Sequence, residues 1–408
     1  MTTQVQSPYN IDAELSKGAG ASVIRLVECL VSTAFDHRAS DIHLDPNEGA
    51  LKVRYRIDGA LRDITNVPAS MRDEVISRLK ILSGLRTDEH QMAQDGRFRL
   101  SLGGTPIDIR VSIIPTYYGE NAVLRLLAEQ ADSHALGSLG FTPANCAKLE
   151  RAIERPHGMI LITGPTGSGK TTTLYSLIKL LHTTERSIIT IEDPVEYSIP
   201  GINQIQVNAR TGLTFAAGLR SMLRQDPNVI MVGEVRDAET AGLAVNAALT
   251  GHLVLSTLHT NDAPTALPRL LDMKVEPYLI SSTVNLVVSQ RLVRRICTQC
   301  KKEITISATA LKSLSEVISA SVLAVRPTFY AGAGCDACDG TGYRGRVGIH
   351  EVIELDGPIR EAVLRKCSSN ELHAIAVERG MTPMLTDGFE KAKQGITTIE
   401  EVLRSAHE

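Results

Sequence analysis

A chain of 408 residues exceeds one ordinary domain and predicts two or three. With 43% apolar and 22% charged residues it is predicted to be soluble and globular, and disorder is excluded. A formal net charge of -3, 4% aromatics and no Trp exclude an overall basic field or a base-stacking platform, so no direct nucleic-acid contact is expected beyond local basic patches.

Residues 1–20 are polar and read as a flexible lead-in. The start lacks the apolar stretch of a signal peptide, and no run of about 18 apolar residues follows, so the expected place is the cytoplasm. Residues 21–38 place Val23, Leu26, Val27, Leu30, Val31 and Ala34 at helical spacing. The period then changes to two through Ile42, Leu44, Leu51, Val53, Tyr55 and Ile57, as in half-buried strands. A helix is predicted over about 70–86, then further alternation to Ile113 with a hairpin turn at Gly103-Gly104. Residues 21–127 therefore read as a small α+β domain, and 128–140 as a linker. From 141 to 295, short apolar runs alternate with helical stretches, which predicts a mainly parallel sheet covered on both faces. After about 265 the pattern reads as helical. It is interrupted by a cysteine module at 296–346 and resumes as a C-terminal helical region over 347–408, clearest from about 357.

The chemistry concentrates at Gly164, Pro165, Thr166, Gly167, Ser168, Gly169, Lys170 and Thr171, followed by Thr172. The pattern is a P-loop between an apolar strand, Met159–Thr163, and a helix striped by Leu174, Leu177, Ile178 and Leu181. Glycines let backbone N–H groups crowd phosphate oxygens at a helix N-terminus. Lys170 reaches the β- and γ-phosphates of ATP, and Thr171 offers a hydroxyl to Mg²⁺. Two apolar runs end in acids, Glu192 and Glu234, and in a parallel sheet both ends share the ligand edge with the P-loop. One carboxylate can hold Mg²⁺ and the other can orient or deprotonate water. His259 closes a further strand and can sense the γ-phosphate, with His252 at its start.

Four blocks stand in fixed order: Gly164–Thr173, Ile191–Tyr197, Leu223–Asp237 and Thr250–Asn261. With Ser40-Asp-Ile-His-Leu44, Arg56-Ile-Asp-Gly59, Gln94-Asp-Gly-Arg97, Met384–Gly388 and Gly395–Val402, they make the chain resemble the secretion ATPase superfamily from about residue 21 to the end. The resemblance is to its type II secretion and type IV pilus-assembly ATPases. It implies a RecA-like P-loop ATPase domain, a preceding PAS-like domain and a helical, zinc-containing C-terminal region. It implies that Glu234 is the Walker B carboxylate on Mg²⁺, that Glu192 activates water with Asp193 and Glu196 beside it, and that His259 is the His-box contact. It implies a homo-hexamer in which arginines complete the site, by position Arg110, Arg125, Arg220 and Arg224. The implied work is pseudopilus or pilus assembly on inner-membrane platform proteins, as a peripheral protein of that membrane. A retraction motor or a competence ATPase is the alternative. Many members carry a further N-terminal docking domain, whereas this chain starts almost at the PAS-like domain, being either a naturally short member or a shortened one.

Seven cysteines include two Cys-x-x-Cys pairs, Cys297/Cys300 and Cys335/Cys338. Together they can supply a closed four-thiolate Zn²⁺ site with no open position for catalysis. Redox pairs or buried thiols are the other readings. Cys29, Cys146 and Cys367 are expected to be small core residues.

Overall fold

The computed structural model describes residues 10–102, 104–127, 135–305 and 328–407. The chain divides into two compact units, one up to Gln130 and one from Ala131.

In the first unit, α1 (Ile11–Leu15) precedes α2 (Val23–Asp36), whose first turn is closed by the Ser22 hydroxyl accepting from the Arg25 N–H. The apolar stripe anticipated for α2 is buried at Leu26, Val27, Leu30, Val31 and Ala34, each large side chain contributing about 1.5–3 kcal/mol. Strands β1 (Asp41–Pro46), β2 (Ala50–Ile57) and β3 (Ala60–Pro68) lead to α3 (Ala69–Leu82), then β4 (Gln94–Leu102), β5 (Thr105–Thr116) and β6 (Gly119–Leu127). They form one antiparallel sheet ordered β3-β2-β1-β6-β5-β4. Alternation buries Leu51, Val53, Tyr55 and Ile57 with Ile107, Ile109, Val111 and Ile113 on one face, in a core shared with α2 and α3. The buried Tyr55 hydroxyl donates to the Leu30 carbonyl at 2.7 Å, tying sheet to helix. The expected helix over 70–86 stops at Leu82, because Gly84 takes φ 67°, a left-handed conformation that ends helices. Gly103 of the expected hairpin lies outside the described residues, and Leu102 pairs with Thr105 across it. Most of the expected linker, residues 128–134, lies outside them too.

The second unit begins with α4 (Pro143–Glu154) and β7 (Gly158–Thr163), followed by α5 (Lys170–Leu181), β8 (Ile188–Glu192), β9 (Asn203–Gln206) and α6 (Phe215–Met222). Then come β10 (Val229–Val232), α7 (Ala238–Leu249), β11 (Leu253–Leu258), α8 (Ala263–Asp272), α9 (Pro277–Thr283) and β12 (Val284–Ile296). A small pair, β13 (Lys301–Ile304) and β14 (Phe329–Gly332), precedes β15 (Tyr343–Glu354). The main sheet is ordered β15-β12-β7-β11-β10-β8-β9 and is parallel except for β15, which runs antiparallel to β12. Two apolar cores cover its faces, one built around α6, α7 and α8, the other around α4 and α5.

The helical expectation after about 265 is corrected here. It holds for α8 and α9, but Val284–Ile296 is a strand of 13 residues in the main sheet, between β15 at its edge and β7. A short apolar run cannot be assigned to helix or strand by its period, and the β-branched content of Val284, Val287, Val288 and Val293 favours the strand. Residues 343–354, expected inside a cysteine module and a helical tail, form the neighbouring strand. The cysteine module is thus inserted between two adjacent strands of the main sheet. Helices Gly357–Leu364, Ser369–Glu378, Met384–Lys393 and Ile399–His407 follow, as expected from about 357.

Candidate functional site

The P-loop bridges the end of β7 and the start of α5. Gly164, Gly167 and Gly169 have φ of 139°, 79° and 88°. A Cβ on Gly164 would lie 2.3 Å from the Gln290 carbonyl oxygen, so only glycine fits where the loop leaves the sheet. Thr166 and Gly167 form the exposed crest, Pro165 is half-buried, and Ser168 is buried with no partner for its hydroxyl oxygen. That orphaned hydroxyl, just before the N-terminus of α5, suits an anion carrying several acceptor oxygens. Lys170 Nζ donates to the Gly164 and Pro165 carbonyls at 2.8 and 2.9 Å. Burial lowers its pKa, and the charge of Glu234 works against that shift. Thr171, half-buried, and Thr172, exposed, open α5 beside it.

Gln290 on β12 staples the loop. Its amide donates to the Ser168 carbonyl at 2.8 Å, and its carbonyl accepts from the Thr173 hydroxyl at 2.8 Å. No sequence motif marks this residue, because its role requires 284–296 to be a strand beside β7.

Glu234 follows β10, and His259 follows β11. The two strand ends are laced by Ser256 Oγ donating to the Val232 carbonyl and Thr257 Oγ1 to the Gly233 carbonyl, both at 2.7 Å. Glu234 is thereby set against His259, with Oε2 3.2 Å from Nε2, while Oε1 lies 2.6 Å from an Arg236 nitrogen. The Glu234 side chain is 13% exposed, so it sits recessed between these groups. Arg236 stands two residues along the same block, where no sequence motif marks it. Its guanidinium is held more basic by the hydrogen bond to Glu234, with Asp193 adding to the effect.

Glu192 ends β8 but is placed differently. Its carboxyl is buried and accepts from the Tyr175 hydroxyl, from Thr190 Oγ1 at 2.6 Å and from Gln204 Nε2 at 3.3 Å. Burial pushes its pKa up against the pull of these donors. Asp193 is the exposed acid of that turn. His252 precedes β11, at the far end from His259, and bonds to the Ala247 carbonyl at 2.9 Å.

The arginines fall into two groups. Arg220 lies on α6 and pairs with Glu239. Arg224 lies past the end of that helix and donates to the Arg220 carbonyl at 2.9 Å. Arg110 and Arg125 oppose each other on β5 and β6 of the first unit, where Arg125 Nε lies 2.8 Å from Asp41.

The Sγ atoms of Cys297, Cys300, Cys335 and Cys338 all lie within 4.8 Å of one another. Three separations are 3.8, 3.8 and 3.7 Å. A tetrahedron with Zn–S bonds of about 2.3 Å has edges of about 3.8 Å, whereas a disulfide requires about 2.05 Å. The donor set and spacing therefore fit Zn²⁺, and no disulfide joins the four cysteines. Backbone N–H groups of Cys335 and Gly342 donate to Cys338 Sγ at 3.3 and 3.2 Å and favour its thiolate over the opposing effect of burial. Cys29 is buried, and Cys146 and Cys367 are half-buried against apolar cores, as expected of small core residues.

The family model described as Type II/IV secretion system protein matches residues 17–404. The Type IV pilus assembly ATPase PilB of Thermus thermophilus is 47% identical over 98% of this chain and 44% of its own length. The Type II secretion system protein HxcR of Pseudomonas aeruginosa is 48% identical over 94% of this chain and 77% of its own length. The present sequence thus spans less than half of the first relative and about three quarters of the second. Among solved structures, the pilus retraction motor PilT with bound ADP has a TM-score of 0.62 at 27% identity, covering 93% of this chain and 96% of that one. The ATPase DotB of Legionella pneumophila shares the fold, with a TM-score of 0.68 at 24% identity and coverage of 94% and 95%. With a P-loop, a paired strand-end Glu and His and a four-cysteine cluster all within the matched span, the chain belongs to the Type II/IV secretion system protein family.

Proposed function

We propose that this chain is an ATP-hydrolysing motor subunit that powers type II secretion or type IV pilus assembly. The observation that carries the reading is the meeting of Glu234 and His259 at the strand ends beside a complete P-loop, with the charge of Glu234 felt at Lys170. The backbone of Gly164–Gly169 would cradle the phosphates, and Lys170 would bind the β- and γ-oxygens. Thr171 and Glu234 would hold Mg²⁺, whose charge offsets that developing on the transferred phosphoryl group. His259 would orient the γ-phosphate side. Glu192, enclosed by three donors, would hold the turn that presents Asp193, and these two acids stand nearest the role of orienting water.

The remaining charge comes from arginines, whose fixed fork matches phosphate. Arg110 and Arg125 are assigned here as phosphate contacts in a hexameric ring, with Arg220 and Arg224 on the P-loop unit as supporting charges. The four cysteines hold one structural Zn²⁺. The working place is the cytoplasmic side of the inner membrane, against platform proteins. Among the described residues no helix is long and apolar enough to cross a membrane. Assembly and secretion are favoured over retraction because the relatives named for them share 47% and 48% identity, against 27% for the retraction motor.

The test is ATP turnover beside nucleotide binding. Lys170→Ala abolishes turnover, and Glu234→Gln keeps binding but blocks turnover. Wild-type turnover in Lys170→Ala overturns the assignment.

A further inference from the structure

Strand β11 is tied to β10 on one side by the hydroxyls of Ser256 and Thr257. A third hydroxyl ties the chain after β11 to β7 on the other side. The parallel ladder between β7 and β11 ends at the pair Thr163–Leu258. Beyond that pair β7 turns into the P-loop, so its backbone no longer runs beside Thr260. The buried Thr163 side chain takes over. Its Oγ1 accepts from the Thr260 N–H and donates to the Thr260 carbonyl, both at 2.9 Å, and lies 2.6 Å from Thr260 Oγ1. One hydroxyl thus supplies both partners that the backbone of a buried residue demands.

His259 stands between Leu258, the last residue of the ladder, and Thr260, so its backbone is held on both sides. Its side chain is 49% exposed and reaches Glu234 at 3.2 Å. Farther along, the Ala263 N–H donates to the buried Glu351 carboxyl at 3.0 Å. The segment after β11 is therefore pinned at 260 and again at 263. Thr163 is also the residue before Gly164, whose carbonyl accepts from Lys170 Nζ at 2.8 Å. Lys170 must release that carbonyl to reach phosphate oxygens. A shift of Gly164 that accompanies the release is passed to Thr260 through the peptide joining Gly164 to Thr163 and through the Thr163 hydroxyl.

We propose that Thr163 is a positioning residue for ATP hydrolysis: its hydroxyl sets the backbone at Thr260, and with it His259 beside Glu234, and so couples the His259 side of the site to the P-loop. This rests on the reading of His259 as the group that orients the γ-phosphate side. Thr163 acts through Thr260 and His259 and does not itself touch the nucleotide.

The test uses the full chain and measures kcat for ATP, the affinity for fluorescent ADP, and unfolding in urea. Thr163→Val keeps the volume and removes the hydroxyl. It is expected to lower kcat about tenfold or more, within the range that a small misplacement at a reacting centre produces. ADP affinity should stay within about threefold, since ADP lacks the γ-phosphate. Thr163→Ser keeps the hydroxyl and should recover kcat to within about threefold of wild type. His259→Ala should lower kcat as well. Adding Thr163→Val to it should lower kcat no further, because the group that Thr163 places is already gone. Thr283→Val removes a similarly buried hydroxyl. It lies next to Val284, which pairs with Met159 near the end of β7 away from the P-loop, and should leave kcat within about twofold. Should Thr163→Val not fold, Thr163→Cys, a weaker donor and acceptor of similar size, is read in the same way. Wild-type kcat in Thr163→Val beside an impaired His259→Ala overturns the proposal and leaves the reading of His259 standing. Losses that multiply in the double variant overturn it too, since Thr163 then acts apart from His259. Equal losses in Thr163→Val and Thr283→Val overturn it in favour of general destabilisation. Wild-type kcat in His259→Ala overturns the reading of His259 and the proposal with it.

Discussion

Gln290→Leu keeps nearly the same volume on β12 while removing both polar ends of a side chain that is 2% exposed. The Ser168 carbonyl loses its 2.8 Å donor and the Thr173 hydroxyl its 2.8 Å acceptor. Leaving a buried polar group unsatisfied costs about 1–3 kcal/mol, so the pair of losses costs about 2–6 kcal/mol. The loop also loses the contact that fixes Ser168 at the phosphate cradle. We expect MgATP affinity to weaken by about tenfold, which is about 1.4 kcal/mol. Urea unfolding monitored on the second unit gives the stability change, and titration with a fluorescent nucleotide gives the affinity. Adding Thr173→Val to Gln290→Leu should recover part of the stability, because replacing both partners by apolar groups can be nearly neutral. It should not recover the affinity, because Ser168 stays untethered. A stability change under about 0.5 kcal/mol, well below the cost of orphaned groups, together with unchanged affinity would refute the stapling role.

Purified protein should contain one Zn²⁺ per chain by elemental analysis. Cys338→Ser should lose the metal and unfold the module while the isolated P-loop chemistry persists, and a Cys297–Cys300 disulfide in metal-free protein would contradict this. Tyr175→Phe removes one of the three donors to the buried Glu192 and should cost about 1–3 kcal/mol of stability with nucleotide affinity nearly unchanged; a collapse of binding at full stability would place Glu192 at the substrate instead. Glu401 is buried, which alone would raise its pKa, but bonds from the Arg294 side chain and backbone outweigh that and hold it below the usual value of 4.5. Its contribution is therefore complete above that value and is lost as pH falls through the lower folded pKa. Acid titration of hydrogen exchange in Ile399–His407 should show this loss, and Glu401→Gln should abolish the pH dependence while costing about 1.5–3 kcal/mol.

The chemistry of the site was readable where it is local in sequence. The P-loop needs glycines at fixed offsets beside a strand and a helix, and the loop's φ values and the Gly164 contact with Gln290 supply the reason. Glu234 and His259 were readable as strand-end residues because parallel strands present their ends along one edge. The grouping of the two cysteine pairs was readable, though not the fact that their module interrupts a sheet. Other features depend on which strands become neighbours, and sequence period carries no such information. The run Val284–Val288 fits helix and strand alike, so β12 was missed, and Gln290 with it. Glu192 looked equivalent to Glu234, both being acids after apolar runs. Only the packing of Tyr175, Thr190 and Gln204 shows one carboxyl enclosed and the other recessed beside His259.

Hydrolysis is proposed to depend on charge carried by the first unit and therefore on assembly. Specific ATPase activity measured against protein concentration, for wild type, Arg110→Ala and Arg125→Ala, tests it most directly. The expected result is low turnover in dilute protein, a steep rise as rings form, and a strong loss in both variants with nucleotide affinity within a few-fold of wild type. Activity per subunit that stays flat with concentration, with both variants hydrolysing normally, would contradict it.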